Sequence, residues 1–401
     1  MLDRTLQAIA FFLLCLMPLL LAVTRAGADI ALSVIGIGFL LHCVINNDWQ
    51  WLRQREFQLL LLMWLYFTGN AWFLSDQPMF LRTLAWGRFI IFLAALDVWL
   101  LIAGSSLMKL ARYAAVIVAL LIFDTYWQYV TGIPLVGSGV PYDFRLSGPM
   151  SHPNIGNLLL KVSLPMLGII SYGLLEHHKR WLWVLCAGCV LALVTLIPLT
   201  GERSITLLML LAMVIIGISC VVHKPRFSGY VIVGFLAMAL LLTVLMTTQN
   251  VVHLRGNYLL SQLGNFWETS YGSLFIAAWH FWQSNPWFGI GIGQFKTQCA
   301  LTHGAGYCDV HPHNIYLELL AEAGAIGFIL FAFAMALLLW RRIRQLRHPD
   351  YFWPVTFALA AMTVLLWPAI VTQSIFSNWP AALFWYSLAI AYSVPRIAER
   401  S

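Results

Sequence analysis

Runs of roughly 20 apolar residues recur along the chain, each closed by a short polar or basic stretch, and that is the length a helix needs to cross a bilayer. Twelve such spans are predicted, with soft boundaries near 7–23, 28–46, 57–74, 83–103, 107–128, 155–175, 181–198, 204–222, 228–246, 315–340, 353–373 and 378–395. The first run lacks a small-residue cleavage site and a second follows at once, so it reads as a span and not as a signal peptide. Two connecting segments are long, about 129–154 and about 247–314. Loops of that length are uncommon unless they are functional or disordered. The first, containing "VTGIPLVGSGVPYDFRLSGPMSHPN", is rich in Gly and Pro. The second carries the amphipathic stretch "NYLLSQLGNFWETSYGSLFIAAWHFWQ", which predicts short helices lying on the membrane surface. There is no internal repeat and no low-complexity tract.

Composition sharpens this picture. Of 401 residues, 61% are hydrophobic and 10% charged, against about 25% charged in a soluble domain. A soluble fold could not hide so much apolar surface. The expected class is an all-α polytopic integral membrane protein, one transmembrane domain over residues 1–401.

The net charge of +7 raises the question of nucleic acid, which needs a basic face. The distribution answers it. With the N-terminus placed inside, the outer loops and the spans hold only Arg25, Arg82, Arg88, Arg145, Lys161, Arg203, Arg255 and Lys296, 8 of the 23 Lys and Arg residues; the other 15 (23 − 8) fall on the inner side. This is the positive-inside pattern. It predicts both termini in the cytoplasm, and no nucleic-acid partner is expected. Cys299 and Cys308, nine residues apart in the large outer loop, then face an oxidising compartment and read as a disulfide, with two unpaired thiols as the alternative.

Ionisable groups in or beside spans cost roughly 2.5–3.5 kcal/mol each at mid-span, so they are informative. Each has a bland explanation. Arg88 has Asp97 and Asp124 available as structural partners, Lys161 can snorkel to headgroups, and Arg203 beside Glu202 fits a solvated turn. Taken together, Arg88, Arg145, Lys161 and Arg203 all lie toward the outer half of the membrane, on a side otherwise poor in cations. Such a cluster suits an anion at the lipid–water boundary, and diphosphate matches guanidinium forks.

The stretch "CDVHPHNIYLELLAEAG" (308–324) concentrates further chemistry. A metal site would draw on His311, His313, Cys308, Asp309 or His303, a poor ligand set if Cys308 is oxidised; no metal or other cofactor is expected. Asn314 suits an N-cap, with Glu318 in the first helical turn. An imidazole held at that helix entrance can take a proton from a sugar hydroxyl near neutral pH.

"HPHNIYLELLAEAGAIGFILF", preceded by "NPWFGIGIGQF", resembles the signature of the O-antigen ligase and polymerase superfamily of bacterial inner-membrane proteins. "TGERS", "LAWGRFIIFLAAL" and "RLSGPMSHPNIGNLLLK" resemble further blocks of that family. The resemblance implies a GT-C-like fold and a glycosyltransferase of the inner membrane, its active site facing the periplasm. The donor it implies is a glycan linked to a polyprenyl (undecaprenyl) diphosphate, used without nucleotide or metal. In ligases the acceptor is a lipid A-core sugar; in polymerases it is another glycan repeat. By resemblance His313 and Arg203 are the catalytic pair, and Arg88, Arg145 and Lys161 are candidates for diphosphate contact. Asn314, Glu318, His311 and Glu202 are supporting candidates, and a Cys299–Cys308 disulfide would brace the loop. One departure stands out: the loop arginine of many relatives is missing from "ETSYGSLFIAAWHFW", and Arg255 lies well upstream. The rival from another class is a transporter or flippase of lipid-linked sugars, which the absence of a two-half repeat disfavours.

Overall fold

The computed structural model describes residues 2–102, 104–137, 145–177, 180–304, 308, 311–346 and 352–393. In chain order the described residues form helices α1 (Leu2–Val23), α2 (Arg25–Asn46), α3 (Arg55–Leu74), α4 (Gln77–Trp86), α5 (Arg88–Ala95), α6 (Gly104–Thr131), α7 (Ile155–His177) and α8 (Arg180–Leu199). They continue with α9 (Arg203–His223), α10 (Ser228–Thr248), α11 (Asn250–Gly264), α12 (Ser270–Ser284), α13 (Phe295–His303), α14 (Ile315–Gln345), α15 (Phe352–Leu366) and α16 (Asn378–Ser393). The chain is an all-α polytopic membrane protein. Among the described residues, eight stretches are long and apolar enough to cross a membrane: α1, α2, α3, Gln77–Leu100, Ser105–Thr131, α9, Pro225–Thr248 and α14. Shorter apolar stretches lie in α7, α8 and α15. Three helices, α11 to α13, occupy the long segment expected at 247–314.

At the centre stands α16, buried on every side from Ala381 to Ser393 and packed against α2, α5, α7 and α15. Its apolar residues run all round the helix, the pattern of a helix enclosed by others.

Two predicted spans are not the continuous helices the hydropathy suggested. The span expected over 353–373 stops being helical at Leu366. Pro368 offers no backbone N–H and disfavours helical geometry at the preceding residue, Trp367. Residues 367–377 continue instead as an irregular strap. The span expected over 315–340 is interrupted at Gly324, whose φ of 68° and ψ of −174° are not helical.

The loop "NPWFGIGIG" fills that interruption. The amide of Ala325 donates to the Pro286 carbonyl (2.8 Å), Ile290 N–H to Ala321 (2.9 Å) and Gly291 N–H to Glu322 (3.0 Å). The Glu322 carboxylate accepts from the amides of Gly293 (2.7 Å) and Phe295 (3.0 Å), capping α13. The backbone groups freed by the break therefore find partners inside the protein, the condition for irregular chain at membrane depth. A Cβ on Gly324 would lie 2.2 Å from the Trp287 carbonyl oxygen, and its backbone sits in a region open essentially to glycine alone. Gly324→Ala is accordingly expected to destabilise the protein by about 1–3 kcal/mol. Gly188→Ala, on α8 with no atom within 4 Å of the new methyl, should be neutral or slightly stabilising. Melting temperatures of the two variants in detergent check this; equal temperatures would contradict the lock.

Candidate active site

The site begins at the tight turn between α8 and α9. Thr200 and Gly201 reverse the chain, and Glu202 and Arg203 enter α9. The turn is fastened to the segment before α7: Leu146 N–H donates to the Thr200 carbonyl (3.1 Å), and the buried Glu202 carboxylate accepts from the amides of Gly156 (2.6 Å) and Asn157 (3.2 Å). Glu202 thus caps α7 from another part of the chain. Glycine at 156 lets the two segments approach this closely: a Cβ there would meet Glu202 Oε1 at 2.9 Å and Thr200 Oγ1 at 2.8 Å, and the carboxylate would have to shift. Burial pushes the Glu202 carboxyl up to about 7, against the opposing pull of the Gly156 amide, Arg145, the Asn157 amide and Lys161.

Arg203 is held in a fixed direction. Its Nη1 donates to Gln262 Oε1 (2.6 Å), and its guanidinium lies 4.4 Å from the Tyr258 ring centroid. Both partners belong to α11. The same helix brings Arg255, Leu259 and Gln262, spaced by four and three residues and so on one face, to the wall of a cavity of about 510 Å³. Arg145, Asn157, Lys161, Glu202 and Arg203 line the facing side.

His313 and His311 line the same cavity. His313 takes a left-handed backbone, φ 55°, rare for a residue with a side chain and a mark of functional strain where it occurs. The strap fixes it there: Thr372 N–H donates to the His313 carbonyl (2.7 Å), and the Thr372 hydroxyl accepts from Ile315 N–H (2.9 Å). The His313 ring packs edge-on to Tyr271 at 5.3 Å and lies 4.3 Å from the His311 ring, while His311 Nε2 approaches the Thr372 carbonyl at 3.2 Å. Asn314 is the N-cap of α14: its Oδ1 accepts from Tyr316 N–H (3.0 Å) and Leu317 N–H (3.1 Å), and its Nδ2 donates to the Pro368 carbonyl (2.8 Å). The strap also crosses to α7, where Asn157 Nδ2 donates to Gln373 Oε1 (2.9 Å).

The cavity thus brings together Arg145, Lys161, Glu202, Arg203, His311 and His313. Arg88 is not among them, which corrects the grouping made from sequence. Its guanidinium pairs with Asp29 on α2 at 2.5 Å, donates to the Ala85 carbonyl (3.1 Å) and covers the Phe89 ring. The partner is neither Asp97 nor Asp124. Asp124 accepts instead from the amides of Leu135 (2.7 Å) and Val136 (3.1 Å) at the start of the first long loop. Glu318 also stands off the wall, one turn into α14, where it meets the Ser374 hydroxyl and the Ile375 amide. Cys299 and Cys308 form a disulfide with Cα atoms 5.7 Å apart, tying α13 to the chain entering the His311–His313 stretch. Of the metal ligands weighed above, Cys308 is occupied by that bond and Asp309 lies outside the described residues.

Sequence reasoning left Arg255 undecided and missed Gln262, Tyr258, Tyr271 and the strap residues Thr372, Gln373 and Ser374. The helical spacing of 255, 259 and 262 was the available signal for α11, and polar "TQS" four residues after Pro368 was the signal for the strap.

Comparison with known families bears directly on this arrangement. Residues 187–332 match the family model described as O-Antigen ligase. This match supports membership of the O-antigen ligase and polymerase superfamily. No curated protein matches the chain significantly. The matched region includes Glu202, Arg203, all of α11 and the His311–His313 stretch, and it ends beyond the break at Gly324 in α14. Arg145, Lys161 and the strap come from outside the matched region and complete the cavity.

Proposed function

We propose that the protein transfers an O-antigen-type glycan from a polyprenyl (undecaprenyl) diphosphate carrier to a lipid A-core sugar hydroxyl, without metal or other cofactor. The observation that carries this reading is the charge of the cavity: Arg145, Lys161, Arg203 and Arg255 line it, with Glu202 the one carboxylate there among the described residues. Arg145 Nε is buried and without a hydrogen-bond partner among the described residues, which leaves a donor for a ligand. A diphosphate offers the acceptors such donors need.

The reaction follows from these parts. The acceptor hydroxyl oxygen attacks the anomeric carbon as the bond from that carbon to the diphosphate oxygen breaks, and the bonding pair leaves with the diphosphate. The hydroxyl proton passes to the His313 imidazole. A single in-line displacement inverts the anomeric configuration. Arg203, preset by Gln262 and Tyr258, and Arg255 beside it stabilise charge growing on the leaving group without reorganising as the reaction proceeds. His311, Tyr271 and Asn314 position His313; Glu202 holds the α7 start beside Lys161.

The side of the membrane is part of the proposal. The positive-inside distribution supports cytoplasmic termini and a cavity at the periplasmic face of the inner membrane, and a disulfide beside the cavity fits an oxidising compartment.

Arg255 gives the first test. A charge-assisted hydrogen bond contributes about 1.5–3 kcal/mol, so Arg255→Ala should weaken binding of undecaprenyl diphosphate by roughly 10–100-fold. Arg88→Lys, altered at an ion pair outside the cavity, should leave that binding within about threefold, inside half a factor of ten. Titration of detergent-solubilised protein measures both. Wild-type protein that does not bind the polyprenyl diphosphate, or equal effects of the two variants, would sink the donor assignment.

A further inference from the structure

One wall of the charged cavity carries no charge. The strap lends it Thr372, Gln373, Ser374 and Ser377, and residues 367–377 contain no ionisable side chain. Against the strap stands Asn157, in the first turn of α7 and only 4% exposed. Its Nδ2 donates to Gln373 Oε1 at 2.9 Å, and that bond fixes which way both amides face. An amide has one oxygen and one NH2 group, so the pair keeps the Asn157 oxygen as acceptor and Gln373 Nε2 as donor. Asn157 Oδ1 is buried and has no hydrogen-bond partner among the described residues. The great majority of buried polar atoms have one, so an open acceptor on the wall of a cavity points to a ligand.

The ligand that fills this position must give a hydrogen. An ionised diphosphate has only accepting oxygens, so it suits the cations of the cavity and cannot satisfy Asn157 Oδ1. A hydroxyl can do both, donating one hydrogen and accepting another. Two neighbouring hydroxyls of a sugar ring therefore match the pair, one for each amide. The place of the pair relative to the base narrows the choice of sugar. Thr372 N–H donates to the His313 carbonyl (2.7 Å), and His311 Nε2 lies 3.2 Å from the Thr372 carbonyl. Gln373 is thus one residue from the point where the strap is clamped to the His311–His313 stretch. Arg203 and Arg255 reach the cavity from other elements, α9 and α11. Of the two sugars that meet in the reaction, the one whose hydroxyl must reach the imidazole belongs on the wall clamped to it.

We propose that Asn157 and Gln373 form a neutral subsite that holds the acceptor sugar by two adjacent hydroxyls, one donating to Asn157 Oδ1 and the other accepting from Gln373 Nε2; this rests on the transfer reaction proposed above. The subsite is a specificity element. It favours a ring with both hydroxyls free and uncharged, and it sets acceptor affinity separately from the hold on the diphosphate.

Two variants test this from two elements, so that misfolding of one leaves the other to decide. Gln373→Met keeps the length of the side chain and removes its polar atoms; Asn157→Ala removes the open acceptor. Each is compared with wild type in steady-state transfer. Rough lipopolysaccharide is varied at saturating undecaprenyl diphosphate-linked glycan, and then the donor at saturating lipopolysaccharide. The expected result is a KM for lipopolysaccharide raised roughly tenfold in each variant, the effect of losing one buried hydrogen bond. The donor KM, and the binding of undecaprenyl diphosphate that carries no sugar, should stay within about threefold of wild type. A donor KM raised in place of the acceptor KM would give the subsite to the donor's first sugar. Neither KM raised would reduce the amide pair to a brace between α7 and the strap, and both raised together with a lower melting temperature would show a general disturbance. Each of these three results overturns the proposal. A wild-type protein that transfers nothing to rough lipopolysaccharide would overturn the proposed reaction itself, and is seen before any variant is compared.

Discussion

Arg203→Ala is expected to lower kcat for glycan transfer by about 10²–10³-fold, the usual cost of removing one preset donor from a developing anion. The effect should exceed anything seen in stability. In the folded protein Arg203 makes one hydrogen bond, to Gln262, and lies over the Tyr258 ring. Interactions of that kind contribute about 1 kcal/mol each, so the variant should still purify as folded protein. Arg203→Lys separates charge from geometry. Lysine keeps the positive charge but loses the planar fork and the stacking on Tyr258, and the expected activity lies between wild type and the alanine variant. Steady-state transfer rates, read beside melting temperatures, check both. Full activity in Arg203→Lys would reduce the role of Arg203 to a point charge.

His313→Ala is expected to cost about 10²–10⁴-fold in transfer, the range for loss of a positioned general base. The backbone offers a sharper version of the test. Because His313 sits at φ 55°, a glycine there relieves a left-handed strain of about 1–2 kcal/mol, which offsets glycine's greater freedom in the unfolded chain. His313→Gly should therefore melt close to wild type while remaining as inactive as His313→Ala. His313→Asn, which tolerates left-handed geometry but accepts no proton, should be inactive too. A glycine or asparagine variant with substantial activity would mean that the turn matters and the imidazole does not. His311→Ala, which removes the imidazole beside the Thr372 carbonyl and leaves His313 in place, should be milder than any of these.

The legibility of this chain divides along physical lines. Span positions were readable because apolar length is a composition signal, and α1, α2, α3, α6, α9 and α10 coincide with apolar runs within a few residues. Backbone breaks were not. Hydropathy passes smoothly through Gly324 and Pro368, since both interruptions lie in apolar sequence and their freed groups are satisfied by partners far along the chain, Pro286 for one and Asn314 for the other. The same blindness hid the structural role of "GIGIG", which is to seat in the Gly324 break.

Site residues divide in the same way. Arg203 and His313 stood out because their chemistry is costly beside a membrane, and the fold brings them to one cavity. Arg88 stood out for the same reason and went elsewhere: Asp29 lies two predicted spans away, and sequence spacing holds no information about which helices pack together. Arg255 lay on a helix whose cavity-facing side is set by packing against α8, α9 and α10, so its direction could be read only from the fold. The strap was hidden by its neighbours, because three polar residues in an apolar run lower a window average very little.

The most direct test of the account is glycan transfer in proteoliposomes, with purified protein, a polyprenyl diphosphate-linked glycan as donor, rough lipopolysaccharide as acceptor and a chelator present. The account predicts glycan joined to the lipid A core in the presence of chelator, and no such product with His313→Ala or Arg203→Ala. Longer carrier-linked glycans beside an untouched core would contradict the acceptor and make the protein a polymerase, and no covalent product from the wild-type protein would contradict the transferase itself.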